Sequence, residues 1–208
     1  MNITTFAIAG AFLASIAAPT LAVTGTPGAT TDESNIFSGD GPWTLGWTFT
    51  VNTSITVVAL GAWDSNGDGF ADRHAVGLWE DGGALLASTP VSSGDTLIAN
   101  FRYAAIGPVT LAAGRTYVVG ASDLGLGDDY VLDSAGSVIP QITYGQPRFF
   151  SGAGLSRPDF AGGRSFSYFG GNFLVDGGVI PEPGTWMMMI AGFGMIGFAA
   201  RRRTALAA

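Results

Sequence analysis

Between residues 42 and 176 the chain alternates short apolar stretches with polar breaks. WTLGWTFTV (43–51), SITVVALGAW (54–63), HAVGLWE (74–80), ALLAS (84–88), DTLIANFRY (95–103), RTYVVGAS (115–122), PQITYGQPRFF (140–150) and SFSYFGGNFLV (165–175) favour aromatic and β-branched residues. Gly, Asp, Ser and Pro separate them about every ten residues, and no stretch sustains a helical period. The pattern predicts an all-β domain over 42–177, an antiparallel β-sandwich of jelly-roll-like type with about eight or nine strands. Asp81-Gly82, set between Leu78-Trp79-Glu80 and Ala84-Leu85-Leu86, predicts a hairpin turn. In Leu111-Ala112-Ala113-Gly114-Arg115-Thr116-Tyr117, the tyrosine follows a turn glycine by three positions and a leucine by six. That spacing predicts a tyrosine corner, in which the phenol bonds upstream backbone and locks a connection between sheets.

The two ends break this pattern. MNITTFAIAGAFLASIAAPTLA carries a 13-residue apolar stretch, Phe6 to Ala18, then Pro19 and the small residues Thr20 and Ala22. This is the layout of a secretory signal helix over 1–22 with cleavage after Ala22, although no Lys or Arg precedes the apolar stretch. A polar, Gly/Thr-rich segment follows, and 23–41 reads as a flexible linker. At the other end, Trp186 to Ala200 is a 15-residue run without charge, a short hydrophobic helix below the ~20 residues that span a bilayer comfortably. Arg201, Arg202 and Arg203 follow it and would stay on the cytoplasmic side, leaving the body outside. Pro181 and Pro183 lack backbone N–H groups and stop the helix from propagating outward, so this stretch stays open to an enzyme, while Glu182 resists transfer into lipid.

Pro181-Glu182-Pro183, Trp186, a Met/Gly-rich helix and a closing arginine cluster together resemble a PEP-CTERM sorting signal, in the variant with tryptophan three residues after the second proline. The resemblance covers about the last 28 residues, with Met187 where that variant often has alanine. It implies export, transient inner-membrane anchoring through the tail over 178–208, and processing by an exosortase in an exopolysaccharide-producing bacterium. Phe101-Arg102-Tyr103, Gly107-Pro108-Val109-Thr110-Leu111, Gly170-Gly171-Asn172-Phe173 and the stretch 64–88 resemble the exported bodies attached to such tails, which implies a β-sandwich of largely uncharacterised function and supplies no catalytic residues to carry over.

Charge narrows the partners. All nine basic residues are arginine, and from 23 to 180 fifteen carboxylates face six arginines. A body this acidic repels nucleic acid and anionic headgroups but tolerates divalent cations and neutral polymers such as glycans. The absence of cysteine excludes disulfides, thiolate metal sites and cysteine nucleophiles.

Three local patterns carry candidate chemistry. In Asp64-Ser65-Asn66-Gly67-Asp68-Gly69-Phe70-Ala71-Asp72, oxygens at positions 1, 3, 5 and 9 (Asp64, Asn66, Asp68, Asp72) and glycine at 6 repeat a calcium loop, whose alternate side chains converge on one hard cation. Position 12 is Ala75, and the flanks read as strands, so a solvated Asp/Gly turn is the competing reading. His74 is the sole histidine, and no G-x-S-x-G accompanies it. Asp128, Asp129, Asp133 and Asp159 are acids of the kind that hydrolyse glycosides when paired. Trp43, Trp47, Trp63 and Trp79 either stack on sugar rings or fill the core. The expectation is a non-catalytic binding or structural protein at the cell surface or in the extracellular matrix, with calcium as a structural ion. A secreted glycan-active enzyme and a permanently tail-anchored surface protein are the alternatives.

Overall fold

The computed structural model of the chain describes residues 23–177 apart from 33, 133–134 and 164–165. Three short strands come first: β1 (Thr26–Pro27), β2 (Ala29–Thr31) and β3 (Ile36–Phe37). The long strands β4 (Trp43–Val51) and β5 (Ile55–Trp63) precede β6 (His74–Glu80), β7 (Leu85–Val91) and β8 (Thr96–Ile98). Then follow β9 (Phe101–Leu111), β10 (Thr116–Leu124), β11 (Tyr130–Val131) and β12 (Gly136–Val138). The last are β13 (Ile142–Ser151), β14 (Phe160–Ala161) and β15 (Gly171–Val175).

One sheet has the order β1-β15-β5-β9-β8 and the other β14-β13-β4-β10-β6-β7, while β3 pairs with β11 and β2 with β12. The pairing is antiparallel throughout these sheets. The all-β, antiparallel expectation therefore holds. The expected signal helix and C-terminal helix lie outside the described residues.

The two large sheets pack face to face because alternate residues of each point at the other. Trp47 on β4 is fully buried; its ring stacks on Phe173 of β15 at 5.9 Å, and its Nε1 donates to the Gly171 carbonyl at 2.8 Å. Phe49 lies 4.8 Å from the same Phe173. Trp63, Phe101, Tyr103 and Phe169 complete the aromatic centre, and each such burial stabilises by about 1.5–3 kcal/mol. The sheets approach closely where Gly171 meets β10: a Cβ there would stand 2.6–2.8 Å from the Gly120 backbone, so only glycine fits.

The predicted connections form as read. Gly83 N donates to the Glu80 carbonyl at 2.9 Å around Asp81-Gly82, with Gly82 at φ +73, joining β6 to β7. Between β9 and β10 the chain crosses from one sheet to the other, and the Ala112 N–H donates to the Tyr117 hydroxyl at 2.9 Å. Tyr117 is buried, and this is the tyrosine corner. DTLIANFRY does not run as one strand: Ala99 and Asn100 take φ +47 and +60 and turn β8 back onto β9.

The linker expectation for 23–41 is corrected. β1 pairs with β15 through Thr26↔Val175, and buried Asn172 clamps β2: its Oδ1 accepts from Ala29 N at 3.1 Å and its Nδ2 donates to Ala29 O at 2.8 Å. Strands of two or three residues carry no periodicity to read, and their order comes from these distant partners. Because β1 and β15 run antiparallel at one sheet edge, Gly25 and Asp176 lie at the same pole, while the Val23 N–H donates to Thr96 Oγ1 at 3.4 Å. The segments 64–73 and 125–129 occupy the opposite pole, beside the start of β4 and the end of β10.

Candidate functional site

At that opposite pole the loop after β5 faces the loop after β10 across a cleft of ≈ 360 Å³. Trp63, Asn66, Asp68 and Phe70 line one side, and Gly127, Asp128 and Asp129 the other. The 64–72 loop is tightly turned, with Asn66 at φ +61, Gly67 at +70 and Gly69 at +109. Its glycines are thus placed where side chains are disfavoured, as the sequence pattern requires.

The candidate ligands diverge. Asp64 is buried and turns inward, where its Oδ2 accepts from Arg102 Nε and its Oδ1 from Gly69 N at 3.1 Å. Arg102 also donates Nη2–H to the Gly67 carbonyl at 2.9 Å and Nη1–H to the Asp95 carbonyl at 3.3 Å. The guanidinium therefore binds oxygens of the loop where a calcium ion would draw them together. Asn66, Asp68 and Asp72 are exposed, the first two on the wall of the cleft. Among the described residues, no group of three or more His, Asp or Glu side chains stands close enough to hold one metal ion.

Asp128 holds the two loops together. Its Oδ1 accepts from Ala71 N at 2.9 Å, and its Oδ2 accepts from Asp72 N at 3.3 Å and faces His74 Nε2 at 3.1 Å. His74 is buried, its Nδ1 donates to the Ser122 carbonyl at 2.8 Å, and Phe70 packs edge-on against its ring at 4.7 Å. Neither ring nitrogen is left to serve a nucleophile. Of the other candidate acids, Asp129 joins Asp128 in the cleft, whereas Asp159 is ion-paired with Arg157 at 2.6 Å. Asp133 lies outside the described residues, as do Pro181, Glu182, Pro183, Trp186, Arg201, Arg202 and Arg203.

Three of the four tryptophans among the described residues are core: Trp47, Trp63 and Trp79 are buried, the last with its ring laid over Gly77. Trp63 Nε1, at the cleft wall, is buried and has no hydrogen-bond partner among the described residues. Trp43 alone keeps part of its ring accessible. Sequence reasoning missed the role of Arg102. The signal for it is an arginine inside the apolar alternation Phe101-Arg102-Tyr103, placed on the face opposite two buried aromatics.

Residues 29–138, more than half of the chain, match the model of a family described as a domain of unknown function, DUF4082. The chain belongs to the DUF4082 family. The match covers β2 to β12, while β13 and β15, outside it, lie inside the two sheets next to β4 and β5. Residues 179–203 of this DUF4082 protein match the PEP-CTERM protein-sorting motif, which contains the Pro-Glu-Pro triplet, Trp186 and the arginine cluster. That motif implies an exported, cell-surface protein processed by an exosortase. No curated protein and no solved structure matches the chain.

Proposed function

We propose that this protein is a non-catalytic binding or structural component of the extracellular polysaccharide matrix, delivered by its signal and tail. The observation that supports the reading best is a sorting motif attached to a body whose polar centre is committed to holding loops. His74, Asp64 and Asp128 all spend their polar atoms on internal partners. A net-acidic surface without lysine suits a neutral polymer better than an anionic one. The protein recovered from the cell surface is expected to co-sediment with the organism's own exopolysaccharide and to leave its chain length unchanged. Depolymerisation that is lost in Asp128→Asn or Asp129→Asn, with the fold retained, would replace this reading with a glycan-active enzyme. Intact-mass measurement tests the sorting itself: the expected mature species lacks Trp186 to Ala208, and a retained tail would mean permanent anchoring.

The structural cation of the 64–72 loop is, in this proposal, the Arg102 guanidinium. Melting temperature is expected to be the same in millimolar calcium and in EDTA. A rise of several degrees with calcium, abolished by Asp68→Ala, would restore calcium as a ligand of the exposed carboxylates.

A further inference from the structure

Next to the acidic cleft, Trp43 lines a second, smaller pocket of ≈ 200 Å³ with Asp40, Leu45, Tyr130, Phe149 and Tyr168. Its aromatic walls stand at steep angles to one another. Trp43 meets Phe149 at 77° and 5.9 Å, and Phe149 meets Tyr168 at 65° and 6.0 Å. Phe37 stacks behind Tyr130 and Phe160 lies against Phe149, so the walls are supported from outside. Tyr168 is held at φ +60, a conformation a bulky side chain rarely takes and one that clusters at ligand clamps.

Asp40 completes the lining. Its Oδ1 accepts from Trp43 Nε1 at 3.2 Å and its Oδ2 from the Tyr130 hydroxyl at 3.0 Å. Among the described residues, no arginine or histidine is ion-paired with it. The pocket therefore combines electron-rich ring faces with an exposed carboxylate that no arginine or histidine among the described residues balances.

We propose that this pocket binds a small alkylammonium group, tertiary or quaternary. Ring faces attract cations through their quadrupole, and the carboxylate adds direct Coulomb attraction. Each Asp40 oxygen already accepts one bond from a ring donor, so about half of the four acceptor positions of the carboxylate remain for a hydroxyl-rich sugar or a primary ammonium, and the ring faces add none. A cation with an apolar skin asks for few. Stacking on a sugar ring favours an open, flat aromatic platform, whereas these rings enclose a volume below the ~300 Å³ at which drug-sized pockets begin. The inference does not rest on the matrix-binding reading.

The test is titration of the full chain with choline at constant ionic strength, followed by NMR at the Trp43 indole N–H and by calorimetry. The neutral isostere 3,3-dimethylbutan-1-ol, with carbon in place of nitrogen, serves as the control. Saturable choline binding, at least about tenfold weaker for the isostere and for Asp40→Asn, is the expected result. Phe149→Leu, which keeps the carboxylate and removes a wall, is expected to weaken choline without equalising it with the isostere. Equal affinity for the two compounds would reduce the site to an apolar hole and overturn the proposal, as would no binding of either. A shift of the Trp43 signal by hexoses or exopolysaccharide but not by choline would also overturn it, while leaving the matrix reading standing.

Discussion

Arg102 has the largest expected effect of any single residue. Its partner Asp64 is fully buried, so truncating the arginine leaves an uncompensated charge inside the protein. Arg102→Met is expected to cost about 3–5 kcal/mol in urea unfolding, with Asp64→Asn in the same background recovering part of the loss. The tyrosines give a second prediction. Burial pushes the Tyr103 phenol well above its ordinary range and that of Tyr144 up to about 12. In the unfolded chain both ionise near ~10. Between those limits the folded state binds more protons than the unfolded one, so stability is unaffected below pH ~10 and falls as pH rises beyond it. Thermal melts from pH 8 to 11.5 should show this decline, and Tyr103→Phe should flatten it. At neutral pH the same substitution is expected to be neutral or stabilising, because the Tyr103 hydroxyl is buried with no hydrogen-bond partner among the described residues. Asp64 was readable as a loop residue from its glycine-spaced neighbours. Its partner was not, since the guanidinium comes from 38 residues away and no local pattern encodes that distance.

At the scale of elements, period-two alternation placed the long strands well. WTLGWTFTV and HAVGLWE coincide with β4 and β6 because large apolar residues recur at every second position, even though both faces of these inner strands are largely buried. The tyrosine corner was legible for a similar reason, since a turn glycine and a tyrosine at fixed spacing leave little choice of geometry. Tyr117→Phe removes the acceptor for the Ala112 N–H at the sheet crossing and is expected to cost about 1 kcal/mol, read from the urea midpoint at unchanged m-value. The break inside DTLIANFRY was hidden because Ala99-Asn100 makes its turn without the glycine that usually announces one. The ordering of β1 to β3 was hidden too. It depends on β15 for β1, on Asn172 for β2 and on β11 for β3, and Gly28 leaves room for the Phe173 ring, which stands 2.5 Å from where a Cβ would be. Of the acidic cleft and the aromatic pocket, the sequence marked the acidic one through its Asp/Gly loop. The aromatic one brings together Asp40, Tyr130, Phe149 and Tyr168 from four separate segments, and no short motif joins them.

For the whole molecule, the sandwich closes only with its last strands. β15 sits between β1 and β5 and supplies Phe173 to the centre, and β13 flanks β4 along its length. A chain stopped after Val138, where the DUF4082 match ends, is expected to lose cooperative thermal unfolding. Recovery of a sharp transition from that fragment would show that the earlier strands suffice. The exit of the chain after Val175 has a geometric result. β5 spans nine residues from that pole to Trp63 at the far one, roughly 30 Å at ~3.3 Å per residue. A grip on the segment beyond Val175 would hold one end of the sandwich, leaving the acidic cleft and the aromatic pocket to open at the other.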